Sequence, residues 1–179
     1  RVLDGITRER ELVREMRGNA DLVIDTSFLN VHELSAKVAA AFAEPGSQKL
    51  RATVMSFGYK YGIPVDADLV VDVRFLPNPH WVPELRPLTG LDAEVSDYVV
   101  EQPRAREFLD RYSELLKFVA DGYIHEGKRY VTIAVGCTGG KHRSVAITQE
   151  LVSKLTIGSK LSKYKIETKG LHRDLGREI

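Results

Sequence analysis

The chain has 179 residues, 43% of them hydrophobic, enough for one ordinary domain with a substantial core or one domain plus part of another. No apolar run approaches the roughly 18 residues that span a bilayer, and the start Arg1-Val2-Leu3-Asp4-Gly5 carries no leader pattern. A single cysteine, Cys137, supports neither an internal disulfide nor a cysteine-rich zinc site, so a folded, soluble, cytoplasmic protein is expected. The formal charge of +1 hides an asymmetry: residues 141–179 hold nine Lys/Arg against four Asp/Glu, and residues 1–140 hold 17 against 21. The basic end admits an anionic partner, RNA included, or is simply a solvated lysine-rich surface.

A chain opening on Arg1 rather than methionine is expected to belong to something longer. Arg8 to Arg17 reads as a charged helix that Gly18-Asn19 stops, and Ala20 to Ser27, with its short apolar centre, as a buried parallel strand. Asn30 is placed to cap a helix running to about Phe42, with Val31, Leu34, Val38 and Ala41 at helical spacing. Pro45-Gly46-Ser47 ends it and marks a domain boundary, giving units 1–47 and 48–179.

Beyond the boundary, Leu50 to Phe57 and Leu69 to Phe75 read as strands separated by a glycine-containing loop. The proline-rich run Leu76 to Pro83 cannot form a regular helix, and Trp81 within it is expected to clamp that loop onto the body or, with His80, to serve an interface. Helices are expected over much of Asp92 to His125, with Leu109, Leu115 and Leu116 as core candidates. Tyr130 to Val135 is the clearest strand, His142 to Leu155 the helix after it, and Lys163 to Thr168 a last short strand. The alternation predicts an α/β fold, a mostly parallel sheet flanked by helices with a phosphate-binding loop at a strand-to-helix turn.

That turn is Gly136-Cys137-Thr138-Gly139-Gly140-Lys141-His142-Arg143-Ser144. Ligands of α/β sheets sit beyond the carboxyl ends of strands, and paired glycines let backbone N–H groups approach an anion at the helix start. Lys141, His142 and Arg143 add side-chain donors, so a phosphate group is the expected occupant; the bland alternative is a glycine turn that only starts a helix. The spacing is not that of the nucleotide-binding Walker loop, since only three residues separate Gly136 from Gly140-Lys141 and His142 stands where Ser or Thr is needed. Cys137 and Arg143-Ser144 do match the C-x5-R-S spacing of cysteine-dependent phosphatases, which makes Cys137 a candidate nucleophile, although Gly136 replaces the usual histidine.

Asp72, inside an apolar strand, needs a partner: either sugar hydroxyls or an ammonium, or a cation such as Arg74. Gly58, Lys60 and Arg74 are further pocket candidates. The five histidines share no metal-ligand spacing, so no metal is expected.

The stretches Ser56 to Pro64, Asp72 to Trp81 and Gly136 to Val145, with Arg8 to Leu12 and Ala20 to Ser27, resemble the RapZ (YvcJ-type) family of bacterial nucleotide-binding proteins and RNase adapters. The resemblance implies an N-terminal P-loop kinase-like domain with ATPase/GTPase activity, followed by a C-terminal domain that senses an amino-sugar metabolite and in some members binds small RNA. On it, residues 1–47 are the last strand and helix of the P-loop domain and 48–179 the metabolite-binding domain. ATP or GTP with Mg2+ would then belong to the absent part, leaving this chain without a cofactor and noncatalytic.

The resemblance further implies that Asp72, Cys137, Thr138, Gly139, His142 and Arg143 line a pocket for glucosamine-6-phosphate or a UDP-linked amino sugar, with Gly140 and Lys141 completing the loop. It also implies a homo-oligomer and a small RNA or an RNase as partner; His80 and the basic residues Lys163, Lys165, Lys169 and Arg173 are the candidates in this sequence for an RNA contact or other interface. A metabolite sensor, an RNA adapter and a cysteine phosphatase are the three functions carried forward.

Overall fold

The computed structural model describes residues 2–19, 24, 26, 29–42, 49–65, 67–161 and 165–177, which fall into two compact units, residues 1–45 and 46–179. The first holds two helices, α1 (Val2–Asn19) and α2 (Val31–Phe42). The charged helix is longer than Arg8 to Arg17 at both ends and runs through Gly18, because one glycine costs a helix only about 1 kcal/mol. The expected strand at Ala20 to Ser27 falls mostly outside the described residues. At α2 the backbone N–H of Leu34 donates to the Asn30 carbonyl at 3.0 Å, the first bond of the helix. Val31 is 80% exposed, so it does not share in a buried stripe.

The second unit is built on a four-stranded, all-parallel sheet in the order β2-β3-β1-β4: β1 (Lys49–Gly58), β2 (Leu69–Asp72), β3 (Tyr130–Cys137) and β4 (Lys165–His172). Three helices follow from the same chain, α3 (Ala93–Val100), α4 (Pro103–His125) and α5 (Arg143–Leu161). Strand period two sends Leu50, Ala52 and Val54 of β1 and Val131, Ile133, Val135 and Cys137 of β3 into one core. Val95 and Val99 of α3, Ala105, Leu109, Leu116 and Ala120 of α4, and Ala146, Ile147, Leu151 and Leu155 of α5 fill the same cluster. Along α4 the buried positions 105, 109, 113, 116 and 120 keep the helical period. Leu115 lies off that stripe and is 52% exposed, which removes it from the core. Gly127, at φ +77°, stops α4 in the left-handed conformation glycine favours.

Several boundaries differ from sequence expectation. β3 continues two residues past Val135 because Gly136 and Cys137 still pair with Phe57 and Gly58 of β1. β2 ends at Asp72 rather than Phe75, because the Asp72 carboxylate accepts from the Arg74 backbone N–H at 2.9 Å and folds the chain into a turn. β4 is displaced toward the C-terminus and ends at His172, in register with Ser56. The α5 helix also extends past Leu155, to Leu161. Trp81 is 73% exposed, so the expected clamp is not formed; the proline-rich run instead makes a single 3-10 turn, Pro79–Trp81. No helix among the described residues is long and apolar enough to cross a membrane.

Because all four strands are parallel, their carboxyl ends share one edge. Loops 58–62, 73–92, 138–142 and 173–177 therefore gather there.

Candidate anion-binding site

The site forms where β3 hands over to α5. His142 occupies the cap position, its carbonyl accepting from the Ala146 N–H at 3.0 Å, and Arg143 is the first helical residue. Gly140 takes φ +76°, a conformation that turns the loop back on itself. Its N–H donates to the Cys137 sulfur at 3.3 Å, and Ser144 Oγ lies 3.1 Å from the same sulfur. The Cys137 side chain is thus buried inside the loop rather than standing clear of it.

Two neighbouring glycines seat the loop. A Cβ on Gly58 would lie 2.6 Å from the Gly139 carbonyl carbon and 2.9 Å from the Gly140 nitrogen, and one on Gly90 would lie 2.3 Å from the His142 oxygen. Backbone bonds complete the seating, from Lys60 N–H to the Thr138 carbonyl at 3.2 Å and from Gly90 N–H to the Lys141 carbonyl at 2.8 Å. The Arg86 carbonyl accepts from Lys141 Nζ at 3.3 Å and lies 3.2 Å from His142 Nε2.

Arg143 is 5% exposed. Its guanidinium donates to the Arg74 and Leu76 carbonyls, each at 3.0 Å, and to Thr138 Oγ1 at 3.3 Å, while Nε has no partner. Among the described residues no carboxylate forms an ion pair with it. Desolvation lowers its pKa, against the attraction of Cys137 and Asp72. A desolvated guanidinium with an unpartnered Nε at a cavity wall suits a ligand of opposite charge.

A cavity of about 520 Å3 opens beside it, lined by Lys60, Asn78, His80, Trp81, Arg86, Cys137, Thr138, Gly139, Lys141, His142 and Arg143. Of the residues singled out from sequence, Cys137, Thr138, Gly139, Lys141, His142, Arg143, Lys60 and His80 share this wall. Gly58 and Gly140 lie behind it as packing elements.

Asp72 is not on the wall. Arg74 donates to it from Nε at 2.8 Å and from a terminal nitrogen at 2.6 Å, and these hydrogen bonds hold the Asp72 carboxyl below its ordinary pKa. Its partner is therefore the cation, and at 41% side-chain exposure the cost of burial that suggested a ligand does not arise. The Arg74 guanidinium also sits 4.1 Å above the Tyr59 ring.

Arg173 donates to the Asp174 carboxylate at 2.7 Å and to the Gly62 carbonyl at 2.7 Å, so its guanidinium is already engaged. Lys169 is exposed on β4; Lys163 and the side chain of Lys165 lie outside the described residues. Asn78 and Arg86 went unnoticed in the sequence: Asn78 belongs to the Asp72 to Trp81 motif, which marks it, whereas Arg86 carries no local signal. Among the described residues no group of three or more His, Cys, Asp or Glu side chains is arranged to hold a metal.

Comparison with known proteins bears directly on this architecture. Residues 50–176 match the model of the RapZ C-terminal domain, and residues 1–46 match that of the RapZ-like N-terminal domain, so sequence of both domains is present. A "Nucleotide-binding protein" of Streptomyces coelicolor is 67% identical over 178 residues, which cover 99% of this chain and 58% of that protein. Proteins of the same name from Acidothermus cellulolyticus and Frankia alni are 63% and 61% identical over 178 residues, covering 99% of this chain and 57% and 60% of theirs. The chain thus spans less than two thirds of the length of the curated relatives it matches. The C-terminal match takes in all of the sheet but Lys49, the turn from Cys137 to Arg143 and the helix it opens, and on that ground the chain belongs to the RapZ family.

Proposed function

We propose that residues 48–179 form a noncatalytic sensor domain whose loop, Cys137 to Arg143, holds the phosphate of an amino-sugar phosphate of the glucosamine-6-phosphate type. The observation that carries this reading is Arg143, buried and with no carboxylate partner among the described residues, at the wall of a cavity that also presents Lys60, Lys141 and His142. Such a set favours a ligand with a dense negative charge. The volume of the cavity, with Arg86 and Trp81 on its wall, leaves a UDP-linked amino sugar as the other ligand of this class. Residues 1–47 stand, on this reading, for the end of the nucleotide domain, and hydrolysis of ATP or GTP with Mg2+ is a property of the longer protein.

A second reading rests on Cys137, whose sulfur accepts from Gly140 N–H and faces Ser144 Oγ in the C-x5-R-S arrangement of a phosphatase loop. Against it, no carboxylate among the described residues lines the cavity to act as general acid. An RNA adapter draws less support, since Arg173 is committed to Asp174.

Calorimetric titration with glucosamine-6-phosphate, UDP-N-acetylglucosamine and unphosphorylated glucosamine separates these readings. Heat with a phosphorylated ligand and none with glucosamine supports the sensor. Turnover of a phosphomonoester that disappears in Cys137→Ser would replace it with the phosphatase.

A further inference from the structure

Against the loop, and outside the cavity's lining, lies Asp174, a carboxylate with 0% exposure just past the end of β4. It accepts from the Gly58 backbone N–H at 2.8 Å, from Arg173 at 2.7 Å and from Arg177 at 3.0 Å. Both lone-pair faces are therefore occupied, which is what makes so deep a carboxylate tolerable. Gly58 in turn presses on the loop: a Cβ there would meet the Gly139 carbonyl, and a Cβ on Gly140 would lie 2.8 Å from the Gly58 nitrogen and 3.1 Å from the Asp174 Cβ.

The rest of the tail ties down the same segment. Arg173 N–H donates to the Ser56 carbonyl at 3.0 Å, Arg173 reaches the Gly62 carbonyl, and Tyr61 Oη donates to the Arg177 carbonyl at 3.1 Å. Between them sits Lys60, whose N–H holds the Thr138 carbonyl. The chain from 173 to 177 thus braces residues 58–62, and these brace residues 138–140.

We infer that Asp174 is the positioning residue of the anion loop: through Gly58 N–H it sets the height at which the Gly139-Gly140 backbone meets a ligand, without lining the cavity itself. The inference rests on the reading of that loop as an anion cradle. A loop whose amides must converge on one phosphate loses binding when it shifts by a fraction of an ångström, so a brace more than 30 residues away in sequence contributes to affinity.

The test compares Asp174→Ala and Asp174→Asn with Leu155→Ala, a core truncation in the distal half of α5 that lowers stability without touching the loop. The readouts are the 1H–15N signals of Gly139 and Gly140 in ligand-free protein and the affinity for inorganic phosphate and glucosamine-6-phosphate. Asp174→Ala should move both glycine signals and weaken binding about tenfold or more, the size expected for losing a charge-assisted brace. Asp174→Asn keeps an acceptor for Gly58 and should fall between, while Leu155→Ala should leave signals and affinity as they were. Unmoved glycine signals in Asp174→Ala, or in Asp174→Asn should the alanine variant not fold, overturn the inference, as does an equal effect of Leu155→Ala. Should the parent chain bind neither anion, the cradle reading falls, and the glycine signals alone decide the role of Asp174.

Discussion

Adding one methyl group to Gly58 tests whether the loop is held by close backbone approach. The new Cβ would stand 2.6, 2.8 and 2.9 Å from the Gly139 carbonyl carbon, the Gly139 oxygen and the Gly140 nitrogen, all backbone atoms that cannot rotate aside. Gly58 has φ −106°, so alanine meets no dihedral penalty and gains about 0.4–1 kcal/mol from a less flexible unfolded chain. Overpacking costs about 1–3 kcal/mol, which wins, so Gly58→Ala should lose roughly 1–2 kcal/mol. Gly170→Ala in β4 is the matched control, because its Cβ would meet only side-chain atoms of Gln149 and Val152 at 3.7 Å; it should be neutral or stabilising by up to about 1 kcal/mol. Urea unfolding at matched slope reads the stabilities, and titration with glucosamine-6-phosphate reads the loop. A Gly58→Ala protein as stable as its parent and equally tight for the ligand would refute the packing argument.

Burial lowers the His172 pKa below its ordinary 6.5, so the unfolded chain takes up the proton more readily than the folded one. The stability from this group is complete above about pH 6.5 and is lost as the pH falls through the folded-state pKa. His172→Gln should flatten that part of a denaturation-against-pH series; an unchanged slope would contradict it. Leu109→Ala, in the core, should cost about 2–5 kcal/mol, whereas Leu115→Ala, half exposed, should cost less than about 1 kcal/mol, as read by denaturant unfolding. Equal losses at the two positions would contradict the assigned face of α4.

The legible parts of this fold are those encoded over a few residues. Short apolar runs located β1 and β3, helical spacing located α2, and the glycine pair before Lys141 marked the strand-to-helix turn that opens α5. What escaped depends on partners distant in sequence. The two extra residues of β3 exist only because Phe57 and Gly58 pair with them, and Asp174 acquires its role by reaching Gly58, 116 positions away. Arg86 joins the site through its own carbonyl, an atom every residue possesses, so no residue pattern announces it. Asp72 misled because hydrophobic neighbours suggested burial, while its strand is a sheet edge and Arg74 is two residues away. Trp81 misled for the converse reason: size and apolarity suggested a clamp, yet the indole stands exposed beside His80 at the cavity.

The measurement that bears most directly on the phosphate cradle is calorimetric titration of glucosamine-6-phosphate into the parent chain and into Arg143→Ala. The parent should bind with measurable heat at a single site, and the variant, folded by circular dichroism, should bind at least about tenfold more weakly, since a buried guanidinium hydrogen bond to an anion contributes roughly 1.5–3 kcal/mol. No heat with the parent, or equal affinity in the two proteins, would contradict the account.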